Sequence, residues 1–344
     1  MGEVSTIGLD IAKGVFQVHG VDASGQVVLQ RQLRRGAVLK FFGQLPPCVV
    51  GMEACGSAHY WGRAIAALGH EVRLMPPTRV KPYVGRGKKN DRVDAAACCE
   101  AVGRPSMSFV PLKTVEQQAA LMLHRARQLL VEQRTRLANA IRGHLAELGI
   151  VARRGEGGFQ ALLALLARPE DPHLPAAIRP ILAPLAAQWQ AAGEQIATLE
   201  RQIAQWHAGN ADSQRLDTMP QFGPLTASAF VATVGEPGRF AGGRQCAAWL
   251  GLVPSQSSTG GKTSLGPITK AGDRYLRQLL VIAGTGLVRR VAADPDLSPW
   301  IAGLLHRMSR KQAAVAVANK LARTAWAILA HGGTYQASPA ALTA

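Results

Sequence analysis

No uninterrupted apolar run in the 344 residues approaches the length of a bilayer-spanning helix, so the chain is not expected to cross a membrane. The first residues, MGEVSTIGLDIAKG, carry Glu3 and Asp10 where a secretory signal needs a basic start and an apolar middle. Cysteine is scarce and unpatterned. Cys48, Cys55, Cys98, Cys99 and Cys246 form no CxxC pair and no metal-ligand rhythm. An odd count without a signal reads as reduced thiols in a cytoplasm, each acting as a small buried hydrophobe. Aromatic residues make up only 5%, too few for extensive stacking of nucleic-acid bases. Acidic residues are outnumbered most of all: 22 Asp and Glu against 39 Lys and Arg leave a net charge of +17. A surplus of that size favours a polyanionic partner, and with no membrane signal that partner is nucleic acid.

Against these absences, 47% apolar residues supply enough material for two or three folded domains. The first hundred residues alternate strand and helix signals. Strands are predicted at Val4–Leu9, Val15–Gly20 and Val27–Gln32, with Asp22-Ala-Ser-Gly25 as a turn within an antiparallel meander. A short helix over Val38–Leu45 follows, then a strand Val49–Glu53, a helix Ser57–Leu68 and a strand Val72–Met75 closed by Pro76-Pro77. The order describes a mixed sheet with helices packed on it. From Val115 to Leu148 apolar residues recur at helical spacing (Leu130, Leu137, Ile141, Leu145, Leu148), and again at Trp189, Ile196, Leu199, Ile203 and Trp206. A Gly- and Pro-rich stretch, 154–184, separates the two stripes and predicts an antiparallel helical hairpin whose stripes are core or oligomer seam. Arg125, Arg127, Arg134, Arg136 and Arg142 decorate its first helix, either as a solvated face or along a phosphate backbone. His59, His124 and His306 stand alone on helical patterns and are assigned core or surface roles.

The last third opens with MPQFGPLTASAFVATVG, a helix-hairpin-helix-like pattern in which Gly223 and Thr226 would present a helix start to a phosphate. A Ser/Gly-rich loop, Pro254–Gly266, comes next, then amphipathic helices near Arg274–Arg290 and Lys311–Leu329. The resulting class is α/β plus α. The divisions are 1–110 for the sheet domain, 111–211 for the coiled-coil hairpin, 212–332 for the C-terminal mainly helical domain and 333–344 for a tail.

Four carboxylates occupy informative places. Asp10 ends the first strand in IGLDIAK and Glu53 ends the fourth in GMEACG. Asp91 and Asp94, in KKNDRVDAAA, share one helix face. Asp91 and Asp94 also have plainer readings, as helix-start charges or as partners of Lys88, Lys89 or Arg92. Asp10 and Glu53 are harder to explain that way, because a charge following an apolar run is costly without a partner. Hard oxygen ligands suit Mg²⁺, and a pair of such ions about 4 Å apart supports phosphoryl transfer. Arg79, Lys81, Arg86, Lys88 and Lys89 lie nearby to hold phosphates.

These motifs, LDIAK, ME-AC-G and K-NDRVDA, together with PQFGPLTASAF and AAWLGLVPSQSSTGGKTSLGPITKAGDRYLRQLL, resemble the DEDD transposases of bacterial insertion sequences. The resemblance covers both ends of the chain. It implies an N-terminal domain of the Holliday-junction resolvase (RuvC-like) and ribonuclease H kind, and a second transposase domain at the C-terminus. It further implies Asp10, Glu53, Asp91 and Asp94 as Mg²⁺ ligands, donor and target DNA as substrates, a structured bridge or seeker RNA as guide, and a homo-oligomer, a tetramer in the synapse. It also implies a serine nucleophile in the C-terminal loop. Counting back from Lys270 and Gly272 favours Ser258, while counting forward from Pro254 favours Thr259; Ser258 is chosen, with Ser257 and Thr259 as rivals. Gly260, Lys262, Lys270 and Arg274 are expected beside the phosphate. Two other readings stay open: a junction-type nuclease using the quartet and water, and a nucleic-acid-binding module without chemistry.

Overall fold

The computed structural model describes residues 3–84, 90–168 and 174–336, so Arg86, Lys88 and Lys89, and the tail from 337 onward, lie outside the described residues. The chain divides into two compact units, Met1–Thr114 and Val115–Ala344.

The first unit is built on a five-stranded sheet. β1 (Thr6–Asp10), β2 (Val15–Val21) and β3 (Val27–Arg34) form the antiparallel meander, followed by α1 (Val38–Phe42), β4 (Val49–Glu53), α2 (Ala58–Ala66) and β5 (Glu71–Met75). A short α3 (Pro77–Val80) and α4 (Asp91–Val102) complete it. The strand order is β3-β2-β1-β4-β5, with β4 and β5 parallel to β1. The sheet is mixed, as its sequence pattern predicts. Alternation along the strands gives it two different faces. Ile7, Leu9, Phe16, Val18, Val50 and Met52 pack against Trp61, Ile65 and Phe42 from α1 and α2. Phe16 and Trp61 meet edge to face at 4.9 Å.

The opposite face receives α4, and glycines decide how closely. Gly8 and Gly51 are register partners on the adjacent parallel strands β1 and β4. A Cβ at Gly8 would lie 2.0 Å from the Ala95 carbonyl oxygen and 2.3 Å from the Cys99 nitrogen, and one at Gly51 would lie 2.6 Å from Val102. The paired glycines thus form a flat seat into which the α4 backbone settles. Gly8→Ala should push α4 off this seat. The expected loss is at least the 1–3 kcal/mol typical of overpacking, because the clash is with backbone that cannot rotate away. Thermal unfolding of the variant measures it.

The second unit begins with α5 (Val115–Ala146), α6 (Glu156–Ala167) and α7 (Arg179–Ala208). The helical hairpin is present, but the stretch between its stripes is not merely a connection. It contains α6, which buries Phe159, Leu162 and Leu163 against Ile141, Leu145 and Trp189. Leu148 falls beyond the end of α5 and is exposed. Three of the five arginines on α5 are used within the unit. Arg127 pairs with Glu200 and Arg134 with Glu156, while Arg142 donates to the carbonyls of Arg153 and Gly155. Arg125 and Arg136 are exposed.

The chain continues through α8 (Ala211–Asp217), α9 (Pro224–Val234), α10 (Gly243–Trp249), the hairpin of β6 (Pro254–Thr259) and β7 (Lys262–Ile268), α11 (Arg274–Ala293), α12 (Pro299–Arg307) and α13 (Arg310–His331). Phe222, Phe230, Leu250, Leu276, Leu280, Ala318 and Ala322 form part of its core. His124, 1% exposed, ties α5 into that core: one ring nitrogen lies 3.1 Å from the Tyr275 hydroxyl and the other 3.0 Å from Ser228 Oγ.

Burial, with Arg127 adding to it, lowers the His124 pKa from 6.5 to about 4. The folded ring stays neutral down to about pH 4, whereas the unfolded ring takes up a proton below 6.5. Stability supplied by this residue is therefore full above pH 6.5 and is lost as pH falls towards 4, a difference of at most about 3 kcal/mol. Denaturant titrations across that window should show a steep slope in the parent and a shallower one in His124→Gln.

Candidate active site

The acidic residues gather because of the seat just described. Side chains two apart on a strand share a face. Asp10 therefore emerges on the α4 side two residues beyond Gly8, and Glu53 does the same beyond Gly51. Leu9 and Met52 are register partners, so continuing one step sets Asp10 beside Glu53. Neighbouring strands are about 4.8 Å apart, close enough for the two carboxylates to feel each other. Asp91 and Asp94 come from the first turn of α4, which is capped by Asn90: its side-chain oxygen accepts from the Val93 N–H at 2.9 Å. The same helix lays Ala95 and Cys99 over Gly8, so its first turn points towards the β1 end that carries Asp10.

The electrostatics register the convergence. Asp10 is raised from 3.8 to about 6, first by burial and then by the charges of Asp94, Asp91 and Glu53. No cation offsets this among the described residues, where Asp10, Asp91 and Asp94 take part in no ion pair. Behind the carboxylates, burial and the charges of Glu53 and Asp10 hold the Cys98 thiol protonated. Cys98 is thus a packing residue, as are Cys48, Cys99 and Cys246, all buried.

A negatively charged, partly buried pocket of this kind fits a divalent cation. Among the described residues, however, no three His, Cys, Asp or Glu side chains already stand at metal-holding distance. Arg79 and Lys81, both exposed, lie between β5 and α4 in the chain.

In the second unit Ser258 does not lie in a loop. The Ser/Gly-rich segment forms an antiparallel hairpin turned by Gly260-Gly261, with φ of +57° and +78°. Two successive positive φ values are what a tight two-residue hairpin turn needs, and glycine supplies them without steric cost. Ser258 pairs with Thr263 across the hairpin, Ser257 with Ser264 and Thr259 with Lys262. Strand alternation puts Ser258 on one face and both rivals, Ser257 and Thr259, on the other. Gln256 Nε2 donates to Ser258 Oγ at 3.0 Å, and Thr263 Oγ1 is 3.4 Å away. Every β6 residue is exposed.

The feet of the hairpin are locked. A Cβ at Gly251 would lie 2.3 Å from the Ala271 nitrogen, and one at Gly272 would lie 2.2 Å from the Trp249 carbonyl oxygen. Arg277 donates to the carbonyls of Leu250 and Ala271 at 3.1 and 2.7 Å. Asp273 caps α11 by accepting from the Leu276 N–H at 2.8 Å. Lys262, Lys270 and Arg274 are exposed at the tip, foot and α11 start. Gly223 is exposed as the N-cap of α9, but the Thr226 side chain is only 8% exposed and packs inward. Any phosphate contact there falls to Gly223 and the helix start.

Residues 7–150, which include all four carboxylates, match a DEDD family model described as "Transposase". Residues 213–297, which include the serine hairpin, match one described as "Transposase IS116/IS110/IS902 family". Over 335 residues the chain is 51% identical to the "Probable family 20 transposase" of Pseudomonas aeruginosa, covering 97% of this chain and 99% of that protein. It is 38% identical to the "Transposase for insertion sequence element IS1328" of Yersinia enterocolitica, covering 97% and 99%. It is 39% identical to the "Transposase for insertion sequence element IS1111A" of Coxiella burnetii, covering 98% and 92%.

Proposed function

Since the chain belongs to the IS116/IS110/IS902 transposase family of DNA-processing enzymes, we propose that it cuts and rejoins the donor and target DNA of an insertion sequence through a phosphoserine link at Ser258, with Mg²⁺ at Asp10, Glu53, Asp91 and Asp94. The observation that carries the reading is the gathering of acids at one sheet edge, Asp10 set beside Glu53 by the strand register and Asp91 and Asp94 on the first turn of the helix laid over the same face, in a protein of net charge +17. Acids in a DNA-binding protein repel its substrate, so their concentration at one sheet edge needs a cation to make sense. Bound there, Mg²⁺ supplies charge neutralisation for the phosphate and activation of an attacking hydroxyl.

The chain's own residues divide the rest of the work. Ser258 Oγ attacks the phosphorus and loses its proton, while the phosphorus–oxygen bond to the neighbouring sugar breaks and the departing oxygen takes up a proton. The phosphoserine keeps the bond energy, so attack by another sugar hydroxyl rejoins the strand and frees the serine. Gln256 orients Oγ from the same face of β6, and the amides near Gly260 offset the developing charge. A structured bridge or seeker RNA supplies target sequence by base pairing, and a homotetramer assembles the synapse; the basic composition and scarcity of aromatic residues agree with a protein that holds backbone and leaves base reading to the guide. Such an enzyme works in the cytoplasm, at the nucleoid.

A second reading retains the quartet but uses water in place of serine. It is favoured by one feature: among the described residues Ser258 Oγ bonds to Gln256 and Thr263, neither of which is a base. Incubating purified protein and its element-encoded RNA with labelled DNA ends and Mg²⁺ separates the two. A DNA-linked protein band supports the serine reaction, and free ends without an adduct support hydrolysis.

Arg79 and Lys81, exposed on the chain between β5 and α4, are assigned to phosphates near the acids, along with Arg86, Lys88 and Lys89. Changing Arg79 and Lys81 to Gln should weaken DNA binding for every sequence and reduce the slope of log affinity against log salt by about 1 per charge removed. Altered target preference with an unchanged salt slope would contradict this assignment.

A further inference from the structure

A cavity of about 1260 Å³ opens at the base of the serine hairpin, where Pro254 begins β6 and Ile268 ends β7. It exceeds the roughly 300–1,000 Å³ of typical small-molecule sites, so it suits a stretch of polymer better than a metabolite. Its charge has one sign. Arg244, Arg307, Lys320 and Arg323 line it, all exposed, and no acidic residue is among the described lining residues. None of the four takes part in an ion pair among the described residues.

The same cavity holds Trp300, a large aromatic that α12 leaves 39% exposed with Lys320 Nζ 4.1 Å from the ring centroid. Burying that ring in the core would have been favourable, and water is a poor neighbour for it. An aromatic ring sharing a cavity with cations that make no ion pair is the combination that holds single-stranded nucleic acid: a base stacks on the ring face that Lys320 leaves open, and the cations follow the phosphates. A duplex offers no free base face for the ring.

From these features the geometry points to a binding site for an unpaired segment of DNA, with a base stacked on Trp300 and its flanking phosphates on Arg244, Arg307, Lys320 and Arg323. The choice of DNA rests on the serine reading. Ser258 stands four residues along β6 from the cavity wall, about 13 Å at strand rise, so a strand seated in the cavity can reach it within a few nucleotides. The site holds the cut strand by its unpaired bases while its end is attached to the hairpin.

The test uses the full chain and a short single-stranded oligodeoxynucleotide carrying one 2-aminopurine, alongside the RNA of the same sequence and the corresponding DNA duplex. With the parent, 2-aminopurine fluorescence should fall on binding as the base stacks. Trp300→Ala should weaken single-stranded DNA binding about tenfold and abolish the fluorescence change, while Trp300→Phe keeps most of both and duplex affinity is unchanged. Arg307→Gln with Arg323→Gln should reduce the salt slope for the single strand only.

Equal losses for duplex and single strand, or no loss, overturn the proposal. A Trp300 effect confined to RNA overturns it in favour of a guide-RNA site. A change in oligomeric state without a change in DNA affinity overturns it in favour of a contact between copies of the chain. If no adduct forms yet Trp300-dependent binding persists, the serine reading fails and the strand site stands.

Discussion

Ser258→Ala should eliminate the covalent protein–DNA band, with a loss of at least a thousandfold in adduct yield, while leaving DNA binding and the melting temperature of the protein close to the parent's. The side chain is exposed on an exposed strand, so removing its oxygen costs no core packing. A missing nucleophile, in contrast, cannot be replaced by a neighbour that points elsewhere. Ser257 and Thr259 lie on the other face of β6 and pair with Ser264 and Lys262, so their alanine variants should retain the adduct. Denaturing gels of the three variants, run with end-labelled DNA, decide which face of the hairpin carries the chemistry. If Thr259→Ala loses the band and Ser258→Ala keeps it, the nucleophile belongs to the opposite face and the role given to Gln256 falls with it. Gln256→Ala should retain the adduct but form it more slowly, because Gln256 positions Oγ and does not react.

Much of the first unit can be read from the chain, because its information is local. Val49–Glu53 is recognisable as a strand from its apolar run alone, and the structure gives it the same bounds. The i, i+3 spacing of Asp91 and Asp94 puts both on one helical turn wherever that helix packs. What brings that turn to Asp10 is not local. It depends on Gly8 and Gly51 becoming neighbours across two strands separated by more than thirty residues of chain. A trace of it exists: Gly8-Leu9-Asp10 and Gly51-Met52-Glu53 share the pattern glycine, apolar residue, acid, which places a small residue and a carboxylate on one face.

In the second unit the sequence misleads in two places for physical reasons. The serine segment reads as a loop because β6 and β7 bury almost nothing, so the apolar alternation that marks most strands is missing. Only Gly260-Gly261, with its demand for positive φ, signals a hairpin. Helix α6 is hidden because Gly157-Gly158 fall in its own first turn and a proline-rich stretch follows it, although Phe159, Leu162 and Leu163 supply an adequate buried face. Trp300 is overlooked because a low aromatic content describes the chain as a whole and says nothing about where one ring lies.

Asp10→Asn should abolish DNA cleavage and, in the absence of divalent ions, raise the melting temperature. The first outcome follows if Asp10 is a ligand. The second follows from the sign of its pKa. The folded carboxyl holds its proton up to about pH 6, whereas the unfolded one releases it near 3.8. Between those values the folded state binds more protons, so stability from this residue is intact at low pH and is lost as pH rises through 6. The full difference is worth about 3 kcal/mol, and because the carboxyl is only half-buried, solvent screening reduces the expected gain to about 1–2 kcal/mol. Asparagine keeps the shape and removes the charge that Asp94, Asp91 and Glu53 repel. Mg²⁺ should reverse the ranking: by binding the folded parent it raises the melting temperature in a concentration-dependent way, and the variant should respond weakly. Thermal scans in EDTA and in Mg²⁺, at pH 5 and pH 8, give all four quantities. A parent that melts at the same temperature in both buffers at pH 8 would mean that the acids hold no ion without DNA, and would move metal binding to the enzyme–DNA complex. A variant less stable than the parent in EDTA at pH 8 would mean that Asp10 is held by favourable contacts, contrary to the repulsion inferred from its raised pKa.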